Sequence, residues 1–267
     1  MHLRHALGAL VLVSLLVPSR AATASAGPRQ GVLPPRNPAG NIAAVPDFSA
    51  RCAPNAFDDS SRCTAAALAA IDRARRLEHL APLRLPLGRF RALSPAAQLF
   101  ALANLERVTR GLPPFRALVR SLDRAALVAA RAGVVPTVTG SRPRIGPHPI
   151  VTWAGNWAGG TYDALASDYE WMYADGPGGV NLDCKVVGGP ACWGHRDNIL
   201  GRFPAPPGAC GARRPVVLVM GAAAAPARGA PSFAELFVAL CAPRAPGTVL
   251  TWAFLEHTLH LTRAELR

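Results

Sequence analysis

The residues of this 267-residue chain best suited to chemistry are concentrated in one short stretch, residues 194–200. Its sequence, Gly-His-Arg-Asp-Asn-Ile-Leu, combines polar side chains with an apolar pair that can anchor it in a core. The imidazole of His195 can act as a base or as a metal ligand. Arg196 and Asn198 offer hydrogen-bond donors. We therefore take this stretch as the centre of a candidate site.

Several classes of enzyme lack their usual signature in this chain. There is no Gly-x-Ser-x-Gly motif and no His-Glu-x-x-His motif. Asp168, Glu170 and Asp175 offer carboxylates for glycoside hydrolysis, although Asp168 and Asp175 on one helix more often face water. The acid and two histidines within residues 256–260 are metal-ligand types at helical spacing, but a solvated terminal helix is the simpler interpretation.

The elements that position these residues follow from apolar periodicity and from helix start and stop signals. Ser94 followed by Pro95 is a strong helix start. The apolar runs of the later strands predict a sheet covered on both faces. We predict helices at residues 64–80, 95–110, 121–131 and 163–174, a loop or short strand at 153–160, strands at 215–222, 235–240 and 248–254, and a short amphipathic helix at 255–267.

An acid shares the apolar stripe of the second predicted helix. Glu106 falls on the same face as Leu99 and Leu102. It is therefore either buried with a partner or placed at the edge of the stripe. If it is buried, Arg196 is our hypothesis for the partner.

The first 26 residues have the pattern of a secretory signal. They contain no acidic residue, and an uncharged run at residues 6–17 is followed by small-x-small sequences ending at Ala24 and Ala26. A retained membrane anchor is the competing interpretation. We expect cleavage, a secreted or extracellular location and no transmembrane segment in the mature chain.

The six cysteines fit an exported protein, because an even count in an oxidising compartment favours disulfides. Nearest-neighbour pairing is the simplest of the possible connectivities. It joins Cys52 to Cys63, Cys184 to Cys192, and Cys210 to Cys241.

The formal net charge is +13, from 29 basic and 16 acidic side chains, and Lys185 is the only lysine. One interpretation is a biased composition with no functional meaning. The other is attraction to an anionic envelope surface, such as cell-wall polymers or phospholipid head groups. A nucleic-acid partner is not expected, because no basic stripe with interleaved aromatic residues is present.

Three segments together resemble one protein family. Residues 104–114 resemble the N-x-E-R-x-x-x-G-L-P-P opening of bacterial CAP-domain proteins, the superfamily of cysteine-rich secretory proteins, antigen 5 and plant pathogenesis-related proteins. Residues 155–159, Gly-Asn-Trp-Ala-Gly, resemble its G-E-N-[IL]-A motif, and residues 194–200 match its G-H-R-x-N-I-L motif. Trp171 stands at the place of an upstream tryptophan of the family. The order and spacing of the segments agree with that family.

The resemblance implies a fold, a location and a kind of activity. The fold would be a mixed α/β (α+β) three-layer α-β-α sandwich with a cleft and irregular Pro/Gly-rich loops. Members are secreted, usually have no established enzymatic activity, and have been associated with lipid or sterol binding and with divalent metal. We accordingly divide the chain into a signal peptide at residues 1–26, a leader and helical extension at 27–93, and a CAP/SCP-like domain at 94–267.

The family cleft often carries two histidines and two glutamates, and this chain matches them only in part. His195 matches the second histidine, whereas Asn156 stands in place of the first glutamate. The second glutamate is expected at Ala174, and Glu170 and Asp175 are the nearest acids. For the first histidine the nearest counterpart is His148, a looser match.

The resemblance and the residue chemistry together predict one cleft. Its candidate residues are His148, Asn156, Glu170, Trp171, Asp175, His195, Arg196 and Asn198. With His148 and His195 as ligands it would hold a divalent metal such as zinc; without metal, His195 and Arg196 would brace its floor.

Two functions remain open for this cleft. One is a binding or interaction protein of the bacterial envelope that holds a small apolar or amphipathic ligand. This ligand would be a lipid-like molecule or a component of the cell wall. The other is an envelope hydrolase acting on peptide or glycan through His195. The tryptophans near the motifs either pack in the core or line an apolar groove.

Overall fold

The computed structural model describes residues 37, 40–42, 48, 51–53, 56–204, 206, 208–211, 215–262 and 266. The signal peptide expected at residues 1–26 lies outside the described residues, as does most of the leader. Among the helices of the described chain, none is long and apolar enough to cross a membrane.

The described chain contains both helices and strands. The helices are α1 (Ser61–Leu77), α2 (Leu87–Arg91), α3 (Pro95–Val108), α4 (Arg120–Ala132), α5 (Ala164–Tyr173), α6 (Gly194–Leu200) and α7 (Trp252–Leu259). The strands are β1 (Ala117–Val119), β2 (Arg144–Ile145), β3 (His148–Gly159), β4 (Val216–Ala227), β5 (Ala230–Cys241) and β6 (Thr248–Thr251).

Six strands form one sheet in the order β2-β3-β5-β4-β1-β6. The three central strands, β3, β5 and β4, are antiparallel, whereas β1 pairs with β4 in parallel. The segment predicted as a loop or short strand at residues 153–160 belongs to the twelve-residue strand β3. Within this strand, Gly155 lies where an added Cβ would be 2.4 Å from the carbonyl oxygen of Pro136. There, glycine allows close backbone approach within a strand.

Helices cover both faces of the sheet. On one face α4 packs over β4 and β5, where Val219, Leu236 and Val238 are buried. The opposite face, with Phe233 and Phe237, packs against the core shared by α1, α3 and α5. The predicted mixed α/β class and the two covered faces are confirmed.

Local capping explains the bounds of the helices. Ser94 caps α3 by accepting a hydrogen bond from the N–H of Ala97 at 3.3 Å, as predicted. Gly133 ends α4 with φ +68°, a left-handed conformation that glycine adopts without strain. The last predicted strand is too long, because Thr251 caps α7 and the chain becomes helical at Trp252.

The helix α1 packs into the main core. It lies against α5, and its Ala67 and Ile71 are fully buried in the cluster that also contains Leu102 of α3. Residues 61–77 of the expected N-terminal extension therefore contribute to the same core as the residues after 94.

Three disulfides hold the loops. Cys52 is bonded to Cys63, Cys184 to Cys192, and Cys210 to Cys241. The nearest-neighbour pairing is thus confirmed. The bond between Cys184 and Cys192 closes the loop that precedes α6, and Cys241 fixes the end of β5.

Candidate functional site

His195 in the first turn of α6 is held by one carboxylate. Its Nδ1 lies 2.7 Å from Oδ1 of Asp175, and its backbone N–H donates to Oδ2 of the same residue at 2.9 Å. Asn181 donates a further hydrogen bond to Oδ1 at 2.7 Å. Asp175 is buried, whereas the side chain of His195 is 25% exposed. The pair therefore joins a fixed buried acid to an imidazole that reaches the surface.

This contact decides which ring nitrogen is available. When Nδ1 of His195 carries a proton and donates to Asp175, Nε2 is left as an acceptor. No hydrogen bond joins that nitrogen to a hydroxyl or thiol within the described ranges. The arrangement can accept a proton or contact a ligand.

Two asparagines tie α6 to β3. The fully buried Asn156 donates to the carbonyl of His195 at 3.1 Å. Asn198 donates to Oδ1 of Asn156 and to the carbonyl of Gly155, both at 3.0 Å. The G-N-W-A-G and G-H-R-D-N-I-L segments are thereby in direct contact.

Trp171 fixes the neighbouring helix to the same strand. Its indole N–H donates to the carbonyl of Trp157 at 3.2 Å, and its side chain is buried. The tryptophan of α5 therefore anchors that helix beside the segment that carries Asn156.

Arg196 braces the site from within the core. Its guanidinium donates to the carbonyl of Met172 at 2.6 Å and forms an ion pair with Glu78. No contact joins it to Glu106. The hypothesised pair of Glu106 and Arg196 is therefore wrong. Arg110 lies between the two acids and forms ion pairs with both Glu78 and Glu106.

Glu106 is buried with other partners. Nη1 of Arg75 lies 2.6 Å from its Oε2, and the hydroxyl of Tyr173 donates to its Oε1 at 2.8 Å. Burial opposes ionisation of this carboxyl, but Arg75 and Arg110 outweigh it and lower its pKa. Of the two positions left open for Glu106, the structure shows the buried one.

The N-x-E-R segment also reaches α6. Arg107 donates to the carbonyls of Ile199 at 2.6 Å and Gly201 at 2.8 Å, and its guanidinium lies 4.4 Å from the centre of the Phe115 ring. Asn104 closes the following turn by exchanging two hydrogen bonds with the backbone of Phe115. The three segments singled out in the sequence therefore meet through hydrogen bonds.

Comparison of the chain with protein-family models, with curated proteins and with solved structures gave no match. The resemblance to CAP-domain proteins therefore rests on the three segments, their spacing and their contacts.

The structure does not bring His148 to the other cleft residues. It begins β3 and pairs with Ile145, whereas Asn156 lies eight positions further along the same strand. At about 3.3 Å per residue the two positions are about 26 Å apart. Asn156 contacts His195, so one zinc ion cannot be shared by His148 and His195. Their assignment to one metal site or one cleft is corrected accordingly.

Among the described residues, one group of three metal-type ligands lies within 4.8 Å of one another. It consists of Cys52, Asp58 and Cys63. The two sulfurs are bonded to each other, and a disulfide has no thiolate to offer a metal. This group therefore does not replace the zinc site predicted from the histidines.

Glu170 lies on α5 without a hydrogen bond to His195 or Asn156. Burial raises the pKa of its carboxyl to about 8. It is consequently mostly protonated at pH 7.

Two further buried acids were not assigned to the cleft from the sequence. Asp168, expected to face water, is buried on α5, and Glu235 lies opposite Asn156 in the pairing of β3 with β5. Burial raises the pKa of both carboxyls well above the usual range. The signal for Glu235 was present, since it is a lone acid within an apolar strand. For Asp168 the periodicity gave no such signal.

Proposed function

We propose that this chain is a secreted CAP-type binding protein of the bacterial envelope or extracellular space. Its site around His195 would hold a small apolar or amphipathic ligand. We further propose that the helices and sheet described above form the three-layer α-β-α sandwich of that family. The proposal gives His195, Asn156 and Asn198 the role of organising the wall of the site.

One observation carries the proposal: three separated segments of family-like sequence are joined to one another by hydrogen bonds. Asn156 of β3 bonds to the carbonyl of His195, and Arg107 of α3 bonds to the carbonyls at the end of α6. The three segments are spread over 97 positions, from residue 104 to residue 200. If they resembled the family only by chance, there would be no reason for them to meet in the folded chain. The three disulfides support an oxidising compartment.

The experiment combines a search for bound ligand with a block beside His195. An added Cβ at Gly194 meets open space, so Gly194→Phe adds bulk next to His195 without a backbone clash. Gly88 of α2 is equally open, and Gly88→Phe is the matched control. Native mass spectrometry of protein purified from its own host identifies the ligand, and titration then compares the variants.

We expect a small ligand to copurify with the wild type and with Gly88→Phe. Gly194→Phe should weaken its binding at least tenfold, because bulk in a ligand site excludes the ligand. Equal affinity in both variants would place the ligand elsewhere and overturn the proposal for this site.

A second candidate is an envelope hydrolase for peptide or glycan, and the contact between Asp175 and His195 favours it. A buried carboxylate on Nδ1 orients imidazoles that act as general bases. The variant His195→Ala separates the two functions. Turnover in the wild type that disappears in His195→Ala would establish the hydrolase. Absence of turnover, with ligand binding retained in His195→Ala, supports the binding protein.

A further inference from the structure

A groove of about 980 Å³ opens at another part of the surface. It lies between the turn after α3, the first residues of β4, the connection from β5 to β6, and the start of α7. None of the candidate cleft residues lines it. The volume lies near the upper end of the range of roughly 300–1,000 Å³ that is common for small-molecule sites.

The groove exists because β1 is too short to cover the start of β4. Pro113 and Pro114 precede it, and proline has no N–H to donate to a neighbouring strand. The pairing with β4 therefore begins at Arg116, whose N–H donates to the carbonyl of Leu218 at 2.7 Å. Val216 stays without a neighbour on this side and is 38% exposed. Together with Trp252 it gives the groove an apolar floor.

Three arginines from separate segments line this floor: Arg116 before β1, Arg202 after α6, and Arg244 between β5 and β6. All three are exposed. Within the part of the chain that the structure describes, none of their guanidinium groups forms a hydrogen bond or an ion pair. Among the described residues of the lining, Glu256 is the one acid, and it has no ion pair with the rest of the described chain.

The backbones that carry two of these arginines are fixed. The carbonyl of Gly201, just before Arg202, accepts a hydrogen bond from Arg107, and Phe203 just after it is buried. The carbonyl of Arg116 accepts a hydrogen bond from the N–H of Trp252 at 3.0 Å. The segments that carry these arginines are thus fixed beside an apolar surface, an arrangement complementary to a molecule with one apolar and one anionic end.

We propose that this groove binds an amphipathic organic anion, whose apolar body lies on Val216 and Trp252 and whose carboxylate or phosphate contacts Arg116, Arg202 and Arg244. The three arginines favour a ligand with an anionic head group, and the apolar floor favours a ligand with an apolar body. The inference does not rest on the proposed function, because the groove and the site at His195 share no residue.

The test uses straight-chain carboxylates as probes for the full-length mature protein. Isothermal titration calorimetry compares octanoate, decanoate and dodecanoate with acetate, inorganic phosphate and neutral dodecanol. Burial of each methylene contributes about 0.8 kcal/mol, so we expect affinity to rise about threefold to fourfold per methylene. Dodecanol should bind at least tenfold more weakly than dodecanoate, because it lacks the charge that the arginines contact.

Variants locate the binding. The double variant Arg202→Gln/Arg244→Gln should weaken dodecanoate binding at least tenfold. The control Arg76→Gln/Arg131→Gln removes the same charge from exposed positions on α1 and α4. Its affinity for dodecanoate should stay within twofold of the wild-type value. Ala253→Phe, at an exposed position of the groove, should block it by filling the groove.

The outcomes against the proposal are distinct. Acetate or phosphate bound as tightly as dodecanoate would mean a simple anion site. Equal effects of the two double variants would mean non-specific attraction to a basic protein. The absence of saturable dodecanoate binding to the wild type would remove the groove as a site. Gly194→Phe leaves dodecanoate binding unchanged if the groove is the site, so this test fails or succeeds separately from the proposed function.

Discussion

The charge of Glu106 is compensated entirely inside the protein. Arg75 and Arg110, both with fully buried side chains, form ion pairs with it, and Tyr173 donates a hydrogen bond. Removing one member of such a cluster leaves buried charges without a counterion, and that costs far more than losing a surface pair. Glu106 of α3 therefore holds α1, α3 and α5 together.

The variant Glu106→Gln tests this role at the residue scale. We expect the free energy of unfolding at pH 7 to fall by about 3–5 kcal/mol, because Arg75 and Arg110 lose their anion. Chemical denaturation measures the change. Glu170→Gln is the matched control, since the carboxyl of Glu170 is mostly neutral at that pH, and it should cost less than about 1 kcal/mol. Equal losses in the two variants would mean that the charge of Glu106 contributes nothing.

At the scale of elements, Gly221 sets the distance between α4 and the sheet. A Cβ added there would lie 2.1 Å from the carbonyl carbon of Leu122 and 2.5 Å from the backbone nitrogen of Asp123. The N–H of Ala222 also donates to the side chain of Asp123 at 3.1 Å. The first turn of α4 thus rests directly on the backbone of β4.

We expect Gly221→Ala to displace this helix. Overpacking of a close contact costs about 1–3 kcal/mol, and a clash with backbone atoms places this variant at the upper end. Thermal and chemical unfolding measure the loss. Gly88→Ala, on α2 with open space around it, should be neutral or stabilising. An unchanged midpoint for Gly221→Ala would show that α4 can shift without cost.

Elements with their own local signals could be predicted from the sequence, and elements that depend on neighbours could not. The cap at Ser94 and the glycine at residue 133 defined α3 and α4 closely. The strands β1 and β2 have two or three residues each and exist only through pairing. The site shows the same division. The sequence identified the segment around His195. It could not show that His148 lies far from this segment, because that distance depends on β3 being extended over its whole length.

The partners of buried charges show the limit most clearly. Arg75 precedes Glu106 by 31 residues and lies in a segment without family-like sequence. No periodicity connects two helices that are packed only in the folded chain. Arg196 was the hypothesised partner of Glu106 because it belongs to a motif, but in the folded chain it forms an ion pair with Glu78.

At the scale of the whole molecule, the buried acids make stability depend on pH. Burial raises the pKa of Glu170 to about 8 and those of Asp123 and Asp163 to about 6. In the unfolded chain these groups return to their ordinary values, 4.5 for glutamate and 3.8 for aspartate. Between the unfolded and folded values, the folded chain holds protons that the unfolded chain has released. Stability is therefore fully present below the unfolded value and is lost as the pH rises through the folded value.

We expect the midpoint of thermal unfolding to fall as the pH rises from 5 to about 8.5. The two aspartates account for the loss near pH 6, and Glu170 contributes from pH 4.5 up to about pH 8. Glu170→Gln removes a titrating group while keeping a neutral side chain of similar shape, so its midpoint should fall less steeply above pH 6. Glu256→Gln changes a glutamate that makes no ion pair in the described chain, and it should follow the wild type in parallel. If Glu170→Gln falls as steeply as the wild type, Glu170 ionises normally in the folded protein, and the proton is held elsewhere among the buried acids.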